Sequence, residues 1–447
     1  MLLGSLLLSV ALGGGSVYAL TAEPSAPRPT GDAQTTTSRP DIVVVMLDDM
    51  HAGPAERLFQ RIEPIKSRFL DRGVHFTNAH NETPLCCPAR ANFLTGRHTH
   101  RHGVTGNDPT GLDQSRTVAT ALHDAGYWTA WTGKYLNGSG KLSLPPPGWD
   151  RFQHKHPKGT YQPGWVADQA ADVLASAPTS KPLFAVFAST APHNEGGRYL
   201  PRTSPLYEGD ARCAEAGKWS PPSYNEADLS DKPAYIQGLT PLPFASGWPL
   251  RKACEQLLSV GDTVRNLKQE LARQGRLRNT VFVLMSDNGM GWGEHRIPFK
   301  NAPYTTPLAL WISWPSGRGE APREESQLVS MIDLGVTLAS LGGARMPWAD
   351  GLDWSPLLRD VQHRIDRDAI LHSLPDGHHA PGLGLPSMPG WWAVRTRRYL
   401  WIEWNDGPRE LYDLRADPWL LESLHGDPSY ASVRATLADR LAALRND

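Results

Sequence analysis

The sequence has almost no net charge. Lys and Arg together number 45 and Asp and Glu 46, which leaves −1. Nucleic acids and anionic membrane surfaces attract proteins through an excess of basic residues, so neither is expected as a partner. The chain also has no internal repeat and no coiled-coil heptad. With 447 residues it is long enough to bury a large core, which favours one big domain with a smaller appendage.

The N-terminus has no long uninterrupted apolar run. Residues 2–20 are apolar, but they are too short and too often broken by glycine to be a clear membrane span, and small residues at 19–22 fit a signal-peptidase site. No basic residue precedes Arg28, so an uncleaved anchor or a wrongly assigned start is the alternative. We predict a signal peptide at 1–20, a disordered lead-in at 21–40, a secreted or periplasmic protein and no stable membrane partner.

Cysteine is scarce, and the 4 residues fall into two groups. Cys213 and Cys254 flank a Pro-rich stretch with little periodicity, which is the kind of loop that a disulfide staples in an exported protein. Pairing of these two is expected, with free buried thiols as the alternative. Cys86 and Cys87 are adjacent and are not expected to pair with each other.

Several apolar runs end abruptly at polar clusters. The runs cover residues 42–47, 127–132, 183–188 and 281–285, and helical patterns lie between them at 117–124, 166–174 and 254–274. Continuous Val, Ile, Leu and Phe runs of this length are typical of strands buried on both faces of a parallel sheet. Alternating strands and helices predict an α/β domain.

The polar clusters at the strand ends predict one shared site. In open α/β sheets, ligands bind beyond the carboxyl ends of the strands. Asp48, Asp49, Asp287 and Asn288 make an all-oxygen set at two of these ends, which suits calcium or magnesium better than zinc. Taken singly, Asp-Asp and Asp-Asn-Gly are more often solvated turns.

A triplet of histidines, His98, His100 and His102, suggests zinc at first sight. Alternation at this spacing needs a strand to place all three on one face, and no carboxylate or cysteine completes the set. A zinc site is therefore not expected here.

Residues 84–96 contain the most informative pattern, a Cys-x-Pro-x-Arg core made of Cys86, Pro88 and Arg90. Pro88 suits the first position of a helix, which would put Cys86 just before the helix N-terminus, where unpaired N–H groups attract an anion. Arg90, one turn further, offers a planar fork of donors to a modified side chain or to a sulfate. A buried thiol at a helix start is the alternative interpretation.

With its flanking residues, this core resembles the signature of the sulfatase family, in which the cysteine is oxidised to formylglycine. The hydrate of that aldehyde carries two hydroxyls on one carbon: one attacks sulfur to form a covalent sulfate ester, and the other later expels sulfate and restores the aldehyde. A serine has no second hydroxyl for that last step. The resemblance implies that one calcium ion, or a magnesium ion, is bound by the modified Cys86 together with Asp48, Asp49, Asp287 and Asn288. It also implies a formylglycine-generating enzyme as a partner during maturation.

Further matches to the family extend the predicted site. By resemblance, Lys134 in Gly-Lys-Tyr-Leu and Lys300 bind the sulfate, and His193 in Pro-His protonates the leaving oxygen or contacts the sulfate. Leu136 stands where many relatives have a second histidine. Trp292 is the tryptophan nearest to these motifs, although most aromatic residues serve packing alone.

The C-terminal part of the sequence has a different pattern of predicted elements. Short strand-like runs at 392–396, 399–404 and 410–414 precede a helical stretch at 432–444, which resembles the small antiparallel subdomain of sulfatases. We predict a large mixed, mostly parallel sheet sandwiched by helices in a catalytic domain at 41–365, followed by an antiparallel α+β subdomain at 366–447.

Together these features predict an exported, calcium-dependent sulfatase acting on a small-molecule or saccharide sulfate ester. The Cys-Cys-Pro and Gly-Lys-Tyr-Leu-Asn elements resemble the glucosamine-6-sulfatase and heparan endosulfatase branch, which favours a sulfated sugar, with an aryl sulfate as the other option. Two alternatives are a phosphonate or phosphodiester hydrolase on the same fold, against which Asn288 argues, and an inactive carbohydrate-binding homologue, against which Cys86 and Arg90 argue.

Overall fold

The computed structural model describes residues 39–194, 198–377 and 387–446. The predicted signal peptide at 1–20 and all of the predicted lead-in except Arg39 and Pro40 lie outside these residues. Within the described ranges, no helix combines the length and the apolar character needed to cross a bilayer.

Sixteen strands are found in the described ranges. In chain order they are β1 (Asp41–Leu47), β2 (Val74–Phe76), β3 (Ala79–His80), β4 (Trp128–Gly133), β5 (Arg151–Gln153), β6 (Leu183–Ala188), β7 (Lys218–Trp219), β8 (Trp248–Pro249), β9 (Thr280–Ser286), β10 (Leu310–Ser313), β11 (Arg323–Glu325), β12 (Val329–Ser330), β13 (Ala369–Leu374), β14 (Trp391–Thr396), β15 (Tyr399–Trp404) and β16 (Arg409–Asp413).

The α-helices of the same ranges are α1 (Ala52–Phe59), α2 (Glu63–Ile65), α3 (Cys86–Thr95), α4 (Thr99–His102), α5 (Val118–Asp124), α6 (Gln162–Ala175), α7 (Ala234–Gln237), α8 (Arg251–Arg273), α9 (Pro315–Arg318), α10 (Met331–Leu341), α11 (Ser355–Arg359) and α12 (Ala431–Asn446). Helix α6 begins four residues before its predicted start, because Pro163 occupies its first turn, where a missing N–H costs nothing.

The largest sheet is mixed and mostly parallel. Its eight strands have the order β11-β2-β10-β9-β1-β6-β4-β5. Only β10 runs antiparallel to its neighbours, β9 and β2. The four strands predicted from apolar runs, β1, β4, β6 and β9, lie side by side and parallel in the centre. Their observed bounds differ from the predicted ones by one residue at most.

Helices cover both faces of this sheet. Along β1, Val43, Val45 and Leu47 pack with α6 and α8, whereas Ile42, Val44 and Met46 pack with α3, α5 and α10. Every residue of β1 is buried, which explains why the strand reads as a continuous apolar run rather than an alternating one. The predicted fold class is confirmed.

The C-terminal sheet is antiparallel with the order β13-β14-β15-β16. One face packs against α12 through Leu437, Leu441 and Leu444, and the other packs on the large core through Trp391 and Ile402. Strand β13 was missed in the sequence, because it follows a charged stretch and its first β partner, β14, lies more than fifteen residues further along the chain.

The disulfide expected between Cys213 and Cys254 is present, with 5.7 Å between the two Cα atoms. It ties the long segment before α8 to the first turn of that helix. Both residues are fully buried within the core that α8 shares with the large sheet. The alternative of two free thiols is wrong for this pair, whereas Cys86 and Cys87 are free.

Candidate active site

The carboxyl ends of four neighbouring parallel strands meet at one edge of the large sheet. Asp48 follows β1 and Asp287 follows β9, and the Asp287 amide donates to the Leu47 carbonyl at 2.9 Å. On the other side, the Lys134 amide after β4 donates to the Ala188 carbonyl at the end of β6, also at 2.9 Å. Residues that are far apart in sequence therefore emerge together, as the strand-end pattern predicts.

Helix α3 brings Cys86 to this edge. The helix begins at Cys86 with Leu85 as its N-cap, so the predicted start at Pro88 is wrong by two residues. Pro88 occupies the third helical position. None of the first four N–H groups of a helix has a partner within the helix, so a proline costs no hydrogen bond there either. Cys86 is thus part of the first turn rather than just before it, and it is buried.

Four of the predicted residues bring ligand atoms close together. The carboxylate, thiol and imidazole atoms of Asp48, Asp49, Cys86 and His193 all lie within 4.8 Å of one another. Cys86 Sγ is 3.3 Å from Asp48 Oδ1 and 4.0 Å from Asp49 Oδ1, and His193 Nε2 is 3.3 Å from Asp49 Oδ2. Two buried carboxylates this close repel each other unless cations surround them, so this group can hold a metal ion.

Asn288 tests whether the site fits a cation. Its Nδ2 donates to Asp49 Oδ1 at 2.7 Å and to the Gly289 carbonyl at 2.9 Å. Its Oδ1 is buried, and no described residue donates a hydrogen bond to it. A buried carbonyl oxygen without a donor is costly, and a hard cation beside the carboxylates would satisfy it. The residues therefore fit an oxygen-ligated metal.

Two lysines reach the Cys86 sulfur. Lys134 Nζ lies 3.3 Å from Sγ and 2.5 Å from Asp48 Oδ2. Lys300 Nζ lies 2.7 Å from Sγ and 2.5 Å from Asp49 Oδ1. The exposed fraction of these side chains is 18% for Lys134 and 11% for Lys300. Each ammonium group thus contacts one carboxylate and the sulfur of Cys86, the residue that the sequence analysis assigns to the reaction.

Arg90 lies beneath these residues and is fully buried. Its Nε donates to Asp287 Oδ2 at 2.9 Å, and its Nη2 is 3.7 Å from Asp48 Oδ2. Its Nη1 donates to the backbone carbonyls of Lys134 and Tyr135. The guanidinium therefore connects α3 with the loops after β1, β4 and β9, a supporting position that the motif alone did not reveal.

The two lysines and the carboxylates of Asp48 and Asp49 hold one another in their ionised forms, whereas burial raises the pKa of Asp287. Burial by itself would raise the pKa of Asp48 and Asp49, but Lys134 and Lys300 with the other nearby cations lower the pKa of both carboxyls below the ordinary value. Burial would also lower the pKa of the two lysines, and the carboxylates raise it instead. Burial and the charge of Asp48 raise the pKa of the Cys86 thiol to about 12, so an unmodified thiol here is a poor nucleophile at neutral pH.

A cavity of about 390 Å³ opens beside this cluster. Its walls include Asp48, Lys134 and His193 from the predicted site, and they also include residues that the sequence did not single out, namely His156, Thr160, Gln162, Thr190, Arg202 and Gln256. Gln162 Oε1 accepts from the Thr190 amide at 2.8 Å, and its Nε2 donates to the Ala188 carbonyl at 2.9 Å. In the sequence, the local indication of Gln162 is the neighbouring Pro163, which is typical of the start of a helix.

Other residues considered in the sequence lie elsewhere. His98 Nδ1 is 2.9 Å from Glu82 Oε2, and His102 Nε2 is 3.1 Å from Asn92 Nδ2. The segment between them forms the short helix α4 rather than a strand. Leu136 is buried in the core, and Trp292 is buried against Trp248 with parallel rings, so neither contributes to the cluster around Cys86.

Comparison with known proteins agrees with this architecture. Residues 40–344 match the model of the family described as Sulfatase, and residues 289–447 match N-sulphoglucosamine sulphohydrolase, C-terminal. N-acetylglucosamine-6-sulfatase of Homo sapiens is 27% identical over 455 residues, which cover 86% of this chain and 80% of that protein. The first family model spans more than half of the chain, so the protein belongs to the sulfatase family. It is accordingly a sulfuric ester hydrolase.

Solved structures show the same fold. One, a complex of a protein with its substrate D-glucosamine-2-N,6-O-disulfate, has a TM-score of 0.68 and 22% identity over 91% of this chain and 98% of that one. Another, a phosphonate monoester hydrolase from Silicibacter pomeroyi, has a TM-score of 0.69 and 16% identity over 91% and 95% of the two chains. The fold is thus also that of a protein described as a hydrolase of a different ester, so these two likenesses show the fold alone.

Proposed function

We propose that this protein hydrolyses a sulfate monoester through a formylglycine made from Cys86. The observation that carries the proposal is the position of Cys86 Sγ, which lies within 3.3 Å of Asp48 Oδ1, Lys134 Nζ and Lys300 Nζ. A side chain in this position has the carboxylates of Asp48 and Asp49 and two ammonium groups around it. That combination suits a group that must lose a proton and then carry an anion.

The residues of the site supply the steps around the modified side chain. Asp48 or Asp49 draws a proton from one hydroxyl of the aldehyde hydrate, whose oxygen bonds to sulfur while the sulfur–oxygen bond to the alcohol breaks. The leaving oxygen takes a proton. The second hydroxyl then gives its proton to the group that protonated the leaving oxygen, the carbon–oxygen bond to sulfate breaks, and the aldehyde and free sulfate result.

His193 is the proposed acid for the leaving oxygen. Its Nδ1 contacts the backbone carbonyl of Asn194, so Nδ1 carries a hydrogen and Nε2 points to the cluster. Nε2 lies 3.3 Å from Asp49 Oδ2, and His193 also lines the cavity. A protonated imidazole in this place can donate from Nε2 to an alcohol leaving toward the cavity.

A calcium ion, with magnesium as an alternative, is the proposed metal. Asp48, Asp49, Asp287, the Oδ1 of Asn288 and the modified Cys86 would hold it. The set offers oxygen atoms alone, which hard divalent cations prefer, because formylglycine no longer carries the sulfur of Cys86. When bound, the ion polarises a sulfate oxygen and favours the ionised form of the attacking hydroxyl.

A sulfated sugar is the proposed substrate. The matched relative from Homo sapiens is an N-acetylglucosamine-6-sulfatase, and one structural neighbour is described with a disulfated glucosamine. The cavity beside Lys134 carries polar walls, among them His156, Thr160 and Gln256, which suit the hydroxyls of a sugar ring. Export of the chain and maturation by a formylglycine-generating enzyme belong to the same proposal, as does the division into a catalytic domain at 41–365 and a subdomain at 366–447.

The test compares two adjacent cysteines. The protein and its Cys86→Ser and Cys87→Ser variants are produced together with a formylglycine-generating enzyme, and turnover of an aryl sulfate is measured beside mass spectrometry of the peptide around residue 86. Cys87 is buried in the same helix turn, but its Sγ faces the Asn137 carbonyl at 3.7 Å rather than the cluster. It is therefore a matched control.

We expect an aldehyde at residue 86 and normal turnover in Cys87→Ser. Cys86→Ser should lose several powers of ten in rate, since the sulfate ester would be stranded. Steady multiple turnover by Cys86→Ser would refute the mechanism. Faster hydrolysis of an aryl phosphonate monoester than of the aryl sulfate by the unmutated protein would instead overturn the choice of ester.

A further inference from the structure

A second cavity of about 390 Å³ lies between the large domain and the C-terminal sheet. The large domain contributes His51, Trp219 and Tyr304 to its walls, and the C-terminal part contributes Arg395, Leu400 and Trp419. It shares no lining residue with the cavity beside Lys134. Its size falls in the range typical of ligand sites, and the chemistry proposed at Cys86 does not use it.

Arg395 is out of place in its strand. Along β14, Trp391 and Ala393 face the large core and are completely buried, and Arg395 is the next residue on the same face because side chains alternate along a strand. The pattern therefore assigns an apolar residue to this position, whereas the chain places a guanidinium there.

The charge of Arg395 has no partner in the described part of the chain. No described residue accepts a hydrogen bond from its side chain or forms an ion pair with it, and its Nε is buried and unpaired. Burial lowers the pKa of this guanidinium to about 10, yet the group stays charged at neutral pH. The Arg395 side chain as a whole is half-buried. A charge that is partly withdrawn from water and has no counter-ion costs stability, so an anion from outside the chain would be favourable here.

The neighbouring ionisable groups do not supply that anion. His80 and His372 are the titratable side chains whose pKa the Arg395 charge lowers; burial is the main cause in both, and both remain neutral. Glu294 is the carboxylate in the cavity wall. It is already occupied, since its Oε1 binds His51 Nε2 at 2.7 Å and its Oε2 accepts from the Trp292 amide at 2.7 Å.

Aromatic side chains line the same cavity. The ring centroids of Trp219 and Trp419 are 6.3 Å apart with planes tilted by 58°. Trp419 is 38% exposed and is one of three large hydrophobic residues with this much exposure in the described ranges. An indole that faces both solvent and a cavity offers an apolar face to the C–H groups of a ring while its edge remains polar.

We propose that this cavity binds a sugar unit that carries an oxyanion, with Arg395 holding the carboxylate or sulfate and Trp219 and Trp419 packing against the ring. A guanidinium presents a planar fork of donors that matches either oxyanion. The site is separate from the one where sulfate is removed, so it would hold a second unit of a charged saccharide or a free charged sugar.

Calorimetric titration of the full protein tests the proposal with three probes: glucuronate, glucose 6-sulfate and neutral glucose as the matched control. To prevent turnover, the titrations use the protein produced without a formylglycine-generating enzyme. They are repeated with Arg395→Met, which keeps an unbranched apolar stem and removes the charge, and with Trp419→Ala at the exposed edge of the cavity.

We expect glucuronate to bind and glucose to bind far more weakly. Arg395→Met should weaken glucuronate binding about 10- to 100-fold, as expected for the loss of a charged hydrogen bond, without lowering the melting temperature. Trp419→Ala should weaken it less. The loss of affinity caused by Arg395→Met is compared for glucuronate and glucose 6-sulfate. The probe with the larger loss carries the oxyanion that the site prefers.

Three results would overturn the proposal. The first is the absence of any Arg395-dependent binding of either glucuronate or glucose 6-sulfate to the unmutated protein. The second is equal glucuronate binding by Arg395→Met. The third is competition between glucuronate and the aryl sulfate in the mature enzyme, which would place the sugar at Lys134 instead. Hydrolysis of the aryl sulfate by Arg395→Met should equal that of the unmutated enzyme.

Discussion

Replacement of Lys300 by alanine is the most demanding test of the site. Lys300 was assigned by resemblance alone, and the structure places its Nζ 2.7 Å from Cys86 Sγ and 2.5 Å from Asp49 Oδ1. A sulfate transferred to the modified side chain gains negative charge on oxygens that one divalent ion cannot all neutralise. Lys300, like Lys134, is in position to stabilise that charge.

The expected loss follows from comparable electrostatic donors. Removing one such donor costs about 2–4 kcal/mol of transition-state stabilisation, or about 30–1000-fold in kcat/KM. Lys134→Ala should cost a similar amount, because its Nζ is 3.3 Å from the same sulfur. Lys141→Ala is the control. Its Nζ pairs with the exposed Asp108, and a surface pair of this kind contributes little, so kcat/KM should not change.

The assay measures kcat/KM on one aryl sulfate for all three variants, with the extent of Cys86 modification and the metal content determined in each. These two controls matter because Lys300→Ala leaves the buried carboxylate of Asp49 with one cation fewer. If Lys300→Ala keeps the kcat/KM of the unmutated enzyme while the kcat/KM of Lys134→Ala falls as expected, the assignment of Lys300 is wrong. A loss that parallels the loss of metal would show that Lys300 acts through the metal site.

Three other predictions address the metal, a buried ion pair and the disulfide. Chelation should abolish activity, and calcium or magnesium should restore it better than zinc. The Asp287→Ala variant should bind the metal more weakly. Full activity in a chelated, metal-free sample would refute the metal proposal. Burial by itself would lower the pKa of His98, but Glu82 raises it above the ordinary value of 6.5. The stability that this pair supplies should therefore be complete below pH 6.5 and decline as the pH rises through the raised pKa, so the difference in melting temperature between the unmutated protein and His98→Gln should shrink with rising pH; a constant difference would contradict this. Replacing both Cys213 and Cys254 by serine opens a loop with a sequence separation of 41 and should lower the free energy of unfolding by about 2–5 kcal/mol, whereas an unchanged urea midpoint would show that the bond contributes nothing.

Much of the site was accessible from the sequence because the fold places it where local patterns end. An apolar strand buried on both faces must stop where polar residues begin, so Asp48 and Asp287 were found at the ends of β1 and β9 without reference to any family. Parallel strands share one carboxyl edge, which is why their end residues were expected together. The N-terminal turn of α3 was recognisable from the Cys-Pro-Arg spacing, although its start was misplaced by two residues because proline is accepted at more than one position of a first turn.

Other features depend on contacts that no local pattern contains. Strand β10 inserts antiparallel between β9 and β2, and nothing in a four-residue apolar run specifies its direction. The approach of Lys300 to Cys86, the contact of Arg90 with two backbone carbonyls and the walls formed by His156 and Gln256 all join residues that are distant in sequence.

The sequence by itself therefore determined the four central strands of the large sheet, three strands of the C-terminal sheet and the chemical types that collect at the ends of the central strands, because hydrophobic periodicity and turn chemistry are local. Only the tertiary structure decided which side chains meet. It alone shows that Asn288 keeps a carbonyl oxygen free for a cation and that Arg395 has no counter-ion among the described residues. Whether a charge is paired or unpaired depends on every element packed around it, and that information exists only after the chain has folded.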